Sequence, residues 1–525
     1  MSGVFHDARL VRVIASAGCG KTTFIKNEID NLLLAGVKPL EICYILFNRK
    51  PALAFKEEYA KRGLFAEEMI WWGTHHGLAK RLLNLKSKNI IDLSEWGKSH
   101  GFDISSEDEL REEGVNEYGW DAVAASLSKK IYRAESDFTT EERRLLDALI
   151  DTEMTEGKYT HVRYLQKALR LNLFPSGVKY MFVDEAQDNG KMQFDWIQRA
   201  ADSRVDVRGI LLAGDDKQAI NRFKGGDPEL FLNFPVEKTI ELTTTYRMPA
   251  PVLKEANRII SPVRERSSLT LTSESVYAGS VIYAQRLDDA MVDVQQGIRE
   301  KKKILILLRN KCFENNVRRV LHEHAVPVRS EWHREIKNIV AALSSIRKTG
   351  NVYDWSLAAL IPTSKENTEG RFKIGAYWDV EKIQKLRSGQ FLTDATMFRA
   401  YEFIRLDKGL PLERIVDPGF TKDFVDDVRS WNIPLEKFYL SPSNMMNFKL
   451  YVQMYGFDFD AVRIETIHAV KGEEADVVVL VSNVTNKSAD DTDDERRVWY
   501  VGASRSRGTL IFTSLPTHHR RTPIL

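Results

Sequence analysis

The run Ala15-Ser16-Ala17-Gly18-Cys19-Gly20-Lys21-Thr22-Thr23 sets two glycines, a lysine and two hydroxyls after an apolar stretch. It precedes a segment whose apolar residues Ile25, Ile29, Leu32 and Leu33 recur at helical spacing. Glycines let such a loop curl until its N–H groups and the N-terminus of the next helix face one anion, and a lysine adds a mobile positive charge. That is chemistry for a nucleotide phosphate, with Thr22 as a ligand of magnesium. A bare Gly-Lys-Thr would equally suit a solvated turn. The flanking strand and helix decide for phosphate.

A second cluster follows Tyr180-Met181-Phe182-Val183, an apolar strand ending in Asp184-Glu185-Ala186-Gln187-Asp188. Adjacent carboxylates suit magnesium-dependent hydrolysis of a nucleoside triphosphate: Asp184 holds the metal shell, while Glu185 orients and deprotonates the attacking water. The competing interpretation is a helix-capping cluster. Gly214-Asp215-Asp216-Lys217-Gln218 also follows a strand-like run, and Gln218 could touch both the γ-phosphate and its water.

Parallel strands would position these groups. Short apolar runs at Val11–Ala15, Ile42–Phe47, Tyr180–Val183, Gly209–Ala213, Lys303–Leu308, Asp476–Ser482 and Thr509–Thr513 alternate with helical patterns, which predicts an α/β fold with two parallel sheets. The expected division is 1–84 plus 175–270 for a first domain and 271–345 plus 461–525 for a second. Mainly helical insertions are expected at 85–174 and 346–460. Trp71 and Trp72, at a strand end, are expected in the core. A chain of 525 residues exceeds one hydrophobic core, so clefts between domains are expected. No apolar run reaches the roughly 18 residues of a membrane helix, and the N-terminus has no signal-peptide pattern, so a cytoplasmic protein without membrane association is expected. Cys19, Cys43 and Cys312 are too few and too scattered for a disulfide framework or a zinc site. Cys19, at a helix N-terminus, is expected to have a lowered thiol pKa and to be redox-sensitive. With 76 basic and 74 acidic residues, nucleic acid would have to be met by local grooves instead of a global basic field.

Taken in order, these motifs resemble the UvrD/Rep/PcrA family of superfamily 1 helicases. The resemblance is carried by the phosphate loop, Phe47-Asn48-Arg49-Lys50-Pro51-Ala52, Gly73-Thr74-His75-His76-Gly77-Leu78-Ala79, the Asp184–Asp188 strand end and Gly214 to Gly226. It continues through Thr245-Tyr246-Arg247, Thr466-Ile467-His468-Ala469-Val470-Lys471-Gly472-Glu473-Glu474, and Glu495-Arg496-Arg497 to Tyr500-Val501-Gly502-Ala503-Ser504-Arg505. It implies two RecA-like P-loop domains with ATP and Mg2+ between them and single-stranded DNA crossing both. By the same resemblance Arg247 and Arg505 reach the γ-phosphate from the far side of the cleft, Tyr246 stacks on adenine and Glu474 meets the ribose. The DNA track it implies is Phe47, Asn48, Thr74, His75, Phe223, Lys224 and His468.

The implied activity is a 3′-to-5′ DNA translocase and helicase acting at single/double-strand junctions, with partner proteins of replication, repair or nuclease function. The alternative is an ATPase subunit that strips proteins or serves a nuclease. Asn221 and Phe223 stand where the family usually has tyrosine and tryptophan, implying shallower base pockets. The family's adenine-reading glutamine, some twenty residues before the loop, finds no counterpart, and the second insertion is shorter than the family's. Selectivity between ATP and GTP is expected to be relaxed.

Overall fold

The computed structural model describes residues 3–105, 119–203, 206–264, 266–324, 326, 351–352, 410–411, 462–516 and 520–525. Six parallel strands form the first sheet: β1 (Leu10–Ala15), β2 (Ile42–Ile45), β3 (Trp72–Gly73), β4 (Tyr180–Val183), β5 (Gly209–Gly214) and β6 (Lys238–Leu242). Their order is β3-β2-β4-β5-β1-β6. Residues of β2, β4 and β5 are buried throughout, as strands covered by helices on both faces must be. Ile25, Ile29 and Leu32 of the helix Lys21–Leu34 pack on Val11, Val13 and Leu211. Trp72 is buried there too, hydrogen-bonding the carbonyl of Ile42, while Trp71 is half-buried.

After β6 the chain makes β7 (Thr244–Thr245), which pairs with β8 (Thr272–Ser273). Between them the helix Ala250–Ile260 packs on the helix Asp493–Ala503 and on strands of the second sheet. That second sheet is also parallel. It comprises β9 (Ser280–Tyr283), β10 (Ile304–Leu308), β13 (Val462–Thr466), β14 (Ala475–Val481) and β15 (Ser506–Thr513), ordered β13-β10-β14-β15-β9. Two short strands, β11 (Asn351–Val352) and β12 (Leu410–Pro411), pair antiparallel; the rest of the expected insertion at 346–460 lies outside the described residues. In the first insertion, the helices Leu93–His100, Trp120–Tyr132, Thr140–Glu156 and His161–Arg170 enclose their own core around Trp96, Leu127, Leu145 and Leu165. Thr139 and Glu142 form a reciprocal cap that starts Thr140–Glu156 where the sequence turns apolar.

The topology positions the site. β4, β5 and β1 are neighbours, so the phosphate loop, the Asp184-Glu185 pair and the Asp215–Gln218 segment leave one carboxyl edge side by side. The crevice outside that edge is where open parallel sheets bind ligands.

Candidate active site

Glycine is required at two points of the loop. Gly18 has φ 75°, and a Cβ there would lie 2.4 Å from Cβ of Arg247 and 2.7 Å from Oγ1 of Thr245. Gly20, φ 78°, caps the helix Lys21–Leu34. Lys21 Nζ lies 2.7 Å from Glu185 Oε1 and 3.3 Å from Asp184 Oδ1. Burial alone would depress the lysine's pKa, but Glu185 and Asp184 outweigh it and hold the ammonium above its ordinary range. Asp184 accepts hydrogen bonds from Thr22 Oγ1 at 3.5 Å and Tyr44 OH at 3.3 Å. Burial raises its carboxyl against the pull of Lys21. A buried carboxylate whose ionised form is opposed by burial, beside a hydroxyl, suits a hard cation that keeps its remaining waters and a phosphate oxygen, and Thr22 and Asp184 would hold Mg2+ here. Among the described residues no cluster of three His, Cys, Asp or Glu could hold a metal by itself.

Glu185 has φ 53° and ψ 40°, left-handed for a non-glycine residue, a conformation costing roughly 1–3 kcal/mol that typically persists where function demands it. Burial would raise its carboxyl, yet Lys21 and Lys471 overcome this and keep it well below the usual range. Gln187 Nε2 donates to Glu185 Oε2, and Gln187 Oε1 accepts the N–H of Asp215 at 2.9 Å, tying the end of β4 to that of β5.

The second lobe reaches this edge with three cations. Arg505 donates to Gln218 Oε1, Val501 O (2.9 Å), Glu473 O (3.2 Å) and Ser504 Oγ (2.9 Å). Burial, with Arg247 adding repulsion, pushes its pKa down to about 9. Lys471 Nζ donates to Asp188 and to Gln218 O (2.8 Å) and stands 3.7 Å from Glu185. Arg497 Nε donates to Asp216 O at 3.2 Å. The one-turn element Asp216–Gln218 is therefore gripped from across the cleft. Five residues beyond Gln218, the Phe223 ring is 57% exposed, 5.5 Å from Lys224 Nζ and 5.9 Å, edge-on, from the His468 ring. Burial lowers His468 to about 3, with Arg309 and Lys224 contributing, so the ring is neutral.

A family model for the UvrD/REP helicase N-terminal domain matches residues 2–168 and 159–239, and one for the UvrD-like helicase C-terminal domain matches 461–513. The chain belongs to the UvrD/Rep helicase family. It is 22% identical to the ATP-dependent DNA helicase PcrA of Staphylococcus epidermidis, over 96% of this chain and 81% of that protein. To DNA helicase II of Escherichia coli it is 27% identical, over 47% of this chain and 38% of the relative. To the ATP-dependent DNA helicase Rep of Buchnera aphidicola it is 24% identical, over 64% and 62% respectively.

The residues singled out from sequence in this UvrD-family chain fall partly at the phosphate loop and partly on exposed surface. The loop Ala15 to Thr23 meets Asp184 and Glu185 through Lys21 and Thr22 and Arg247 through Gly18, while Gln218 meets Arg505 and Arg247 meets Glu474. Arg247 approaches from β7, its Cβ against the phosphate loop, whereas Arg505 comes from the second lobe. Tyr246 is 60% exposed, its N–H on Gly18 O at 3.0 Å. Phe47 is half-buried, and Asn48, Phe223 and Lys224 are exposed.

Two expectations change. His75 does not face solvent: Thr74 caps the helix His75–Leu82 by accepting from Gly77 N at 3.1 Å, which turns His75 inward against Trp196, rings 5.5 Å apart. Buried there, His75 is lowered to about 3 and offers no ring face to a base in this conformation. Cys19 has a thiol pushed up to about 12, not lowered, because burial and Asp215 outweigh the donors around it. Sequence reasoning missed Lys471 and Arg497 as members of the site. Both lie inside the motifs quoted above, where a cation followed by a glycine, or one that opens the apolar run Val498 to Val501, was the available signal.

Proposed function

We propose that this chain is an ATP-dependent DNA helicase that moves 3′-to-5′ along single-stranded DNA by opening and closing the cleft between its two lobes. ATP-dependent DNA helicase activity is what family membership gives; direction and stepping are the finer reading. The observation that carries it is the segment Asp215–Lys224. One end meets the second lobe's Arg505 and Lys471 beside Glu185, while the other carries the exposed Phe223 against His468.

In this reading Lys21 and the loop N–H groups bind the β- and γ-phosphates, and Thr22 and Asp184 would hold Mg2+, which would supply positive charge beside the phosphate oxygens. Glu185 takes the water proton, while Gln218, Arg247 and Arg505 stabilise the transferring phosphoryl group. An arginine that grips two oxygens contributes on the order of 10³–10⁵ in rate in this reaction class. Tyr246 stacks on adenine. Release of γ-phosphate loosens the contacts at Gln218, and Phe223 shifts against the strand. Aromatic stacking at roughly 1–3 kcal/mol per base holds a strand without reading its sequence, which suits a moving grip. The corresponding domains are 1–84 with 175–270 and 271–345 with 461–525.

ATP hydrolysis measured with and without a single-stranded oligonucleotide tests the reading. At least about tenfold stimulation is expected, the kind of gain that comes from completing a preorganised site. A rate indifferent to DNA would contradict it.

A further inference from the structure

The two arginines of the cleft are held in opposite ways. Arg505 is buried and spends its donors on four acceptors, so its guanidinium is fixed before any nucleotide arrives. Arg247 is held through the chain around it and by a single side-chain contact. Thr245 Oγ1 donates to Ala17 O at 2.9 Å, Tyr246 N to Gly18 O at 3.0 Å, and the Cβ of Arg247 leans on Gly18. Among the described residues its guanidinium has one partner, Glu474, with Nε 2.8 Å from Oε2. The other oxygen of Glu474 lies 3.3 Å from Arg507 Nη1, and Arg507 is anchored at 2.8 Å by Asp476. Glu474 is thus held by Arg507 on one side and restrains Arg247 on the other.

We infer that Glu474 is a sugar-sensing restraint on Arg247: the nucleotide's ribose hydroxyls take the carboxylate that now holds Arg247, and only then is this arginine free to turn to the γ-phosphate. The inference rests on the proposed roles of Glu474 at the ribose and Arg247 at the phosphate, and adds that the two are exclusive. A carboxylate oxygen that accepts from a sugar hydroxyl has less to offer a guanidinium, and the exchange conserves the number of hydrogen bonds. Tyr246, next in sequence to Arg247, would hold the base so that the sugar meets Glu474. Base, sugar and phosphate are then checked by neighbouring parts of one contact. The substrate class is a nucleoside triphosphate whose sugar carries a free hydroxyl, selected in turnover as well as in binding.

The pair is partly exposed, Arg247 at 17% and Glu474 at 41%, so the restraint is modest and the effect should be about fivefold, the upper range for such ion pairs. The test is steady-state hydrolysis with saturating single-stranded DNA, using ATP and 2′,3′-dideoxy-ATP. In the wild type, kcat should fall about fivefold on loss of the hydroxyls. In Glu474→Ala the KM for ATP rises, but kcat with the dideoxy substrate should climb above the wild-type value and equal that variant's kcat with ATP. The gain should vanish in Glu474→Ala combined with Arg247→Ala. Glu474→Gln, nearly isosteric, provides the same comparison if the alanine variant folds poorly. A kcat for the dideoxy substrate no higher in both Glu474 variants than in wild type would overturn the inference. If Arg247→Ala alone keeps full kcat with ATP, the arginine's role at the phosphate is what has failed.

Discussion

Phe223 of the first lobe and His468 of the second meet edge to face across the seam, ring centroids 5.9 Å apart, on the same two segments that join Gln218 to Lys471. One rigid contact near the chemistry and one exposed aromatic contact away from it therefore share their backbone. Phe223→Ala should leave thermal stability nearly unchanged, because the ring is more than half exposed. It should weaken single-strand binding by roughly 1–3 kcal/mol and reduce base pairs opened per ATP. Titration with a fluorescent oligonucleotide and a melting curve check this. A large loss of melting temperature would mean that Phe223 is a packing residue.

Lys21→Ala and Glu185→Gln should fail differently. The first removes the charge facing the phosphates and leaves Asp184 and Glu185 without their partner, so both nucleotide affinity and turnover collapse. The second keeps Lys21 and should bind nucleotide while turning over about 10²–10⁴-fold more slowly, the usual worth of a general base. Equilibrium binding of a fluorescent ATP analogue beside kcat separates them. Near-normal kcat in Glu185→Gln would remove it from the role of base.

Lys471 and Asp188 form a pair that is nearly fully buried between the lobes. Lys471→Ala should destabilise the chain by about 3–5 kcal/mol, since the buried Asp188 loses its cation; Asp188→Ala should cost less, because Lys471 keeps Glu185 and the carbonyl of Gln218, and the double variant should lose less than the sum. Chemical denaturation of Lys471→Ala, Asp188→Ala and the double variant measures the coupling. Additive losses would show that the lobes do not close on this pair.

Cys19 should be inert near neutral pH. With its thiol at about 12, only about one part in 10⁴ is thiolate at pH 8, so alkylation in the absence of nucleotide should be slow and should quicken as pH rises toward 12. The exposed Cys312 should react first. Mass spectrometry of iodoacetamide-treated protein reads both sites, and modification of Cys19 ahead of Cys312 at pH 8 would contradict the burial argument.

What could be read from residues alone follows burial. The runs that became β1, β4, β5, β10, β14 and β15 are apolar because both faces of each strand are covered, and their ends carry the phosphate loop, the carboxylates and the Gln218 segment. β6, Lys-Thr-Ile-Glu-Leu, is half exposed at the sheet edge and has no such run; β3 is only two residues long. His75 carries the motif's spacing, but which side of a helix start faces inward depends on the cap and on Trp196, over a hundred residues away. The grip of Lys471 and Arg497 on Asp188 and Asp216 joins residues more than 280 apart, a relation that only the folded lobes create.

In the proposed function, hydrolysis in this cleft drives strand displacement. This coupling is tested most directly by mixing the protein with Mg2+-ATP and duplexes bearing either a 3′ or a 5′ single-stranded tail, and following release of the paired strand. Release is expected from the 3′-tailed duplex, none from the 5′-tailed one, and none from either with Glu185→Gln or a nonhydrolysable nucleotide. DNA-stimulated hydrolysis without release from either duplex would contradict the coupling and point to a motor whose work is done on bound proteins or for a partner.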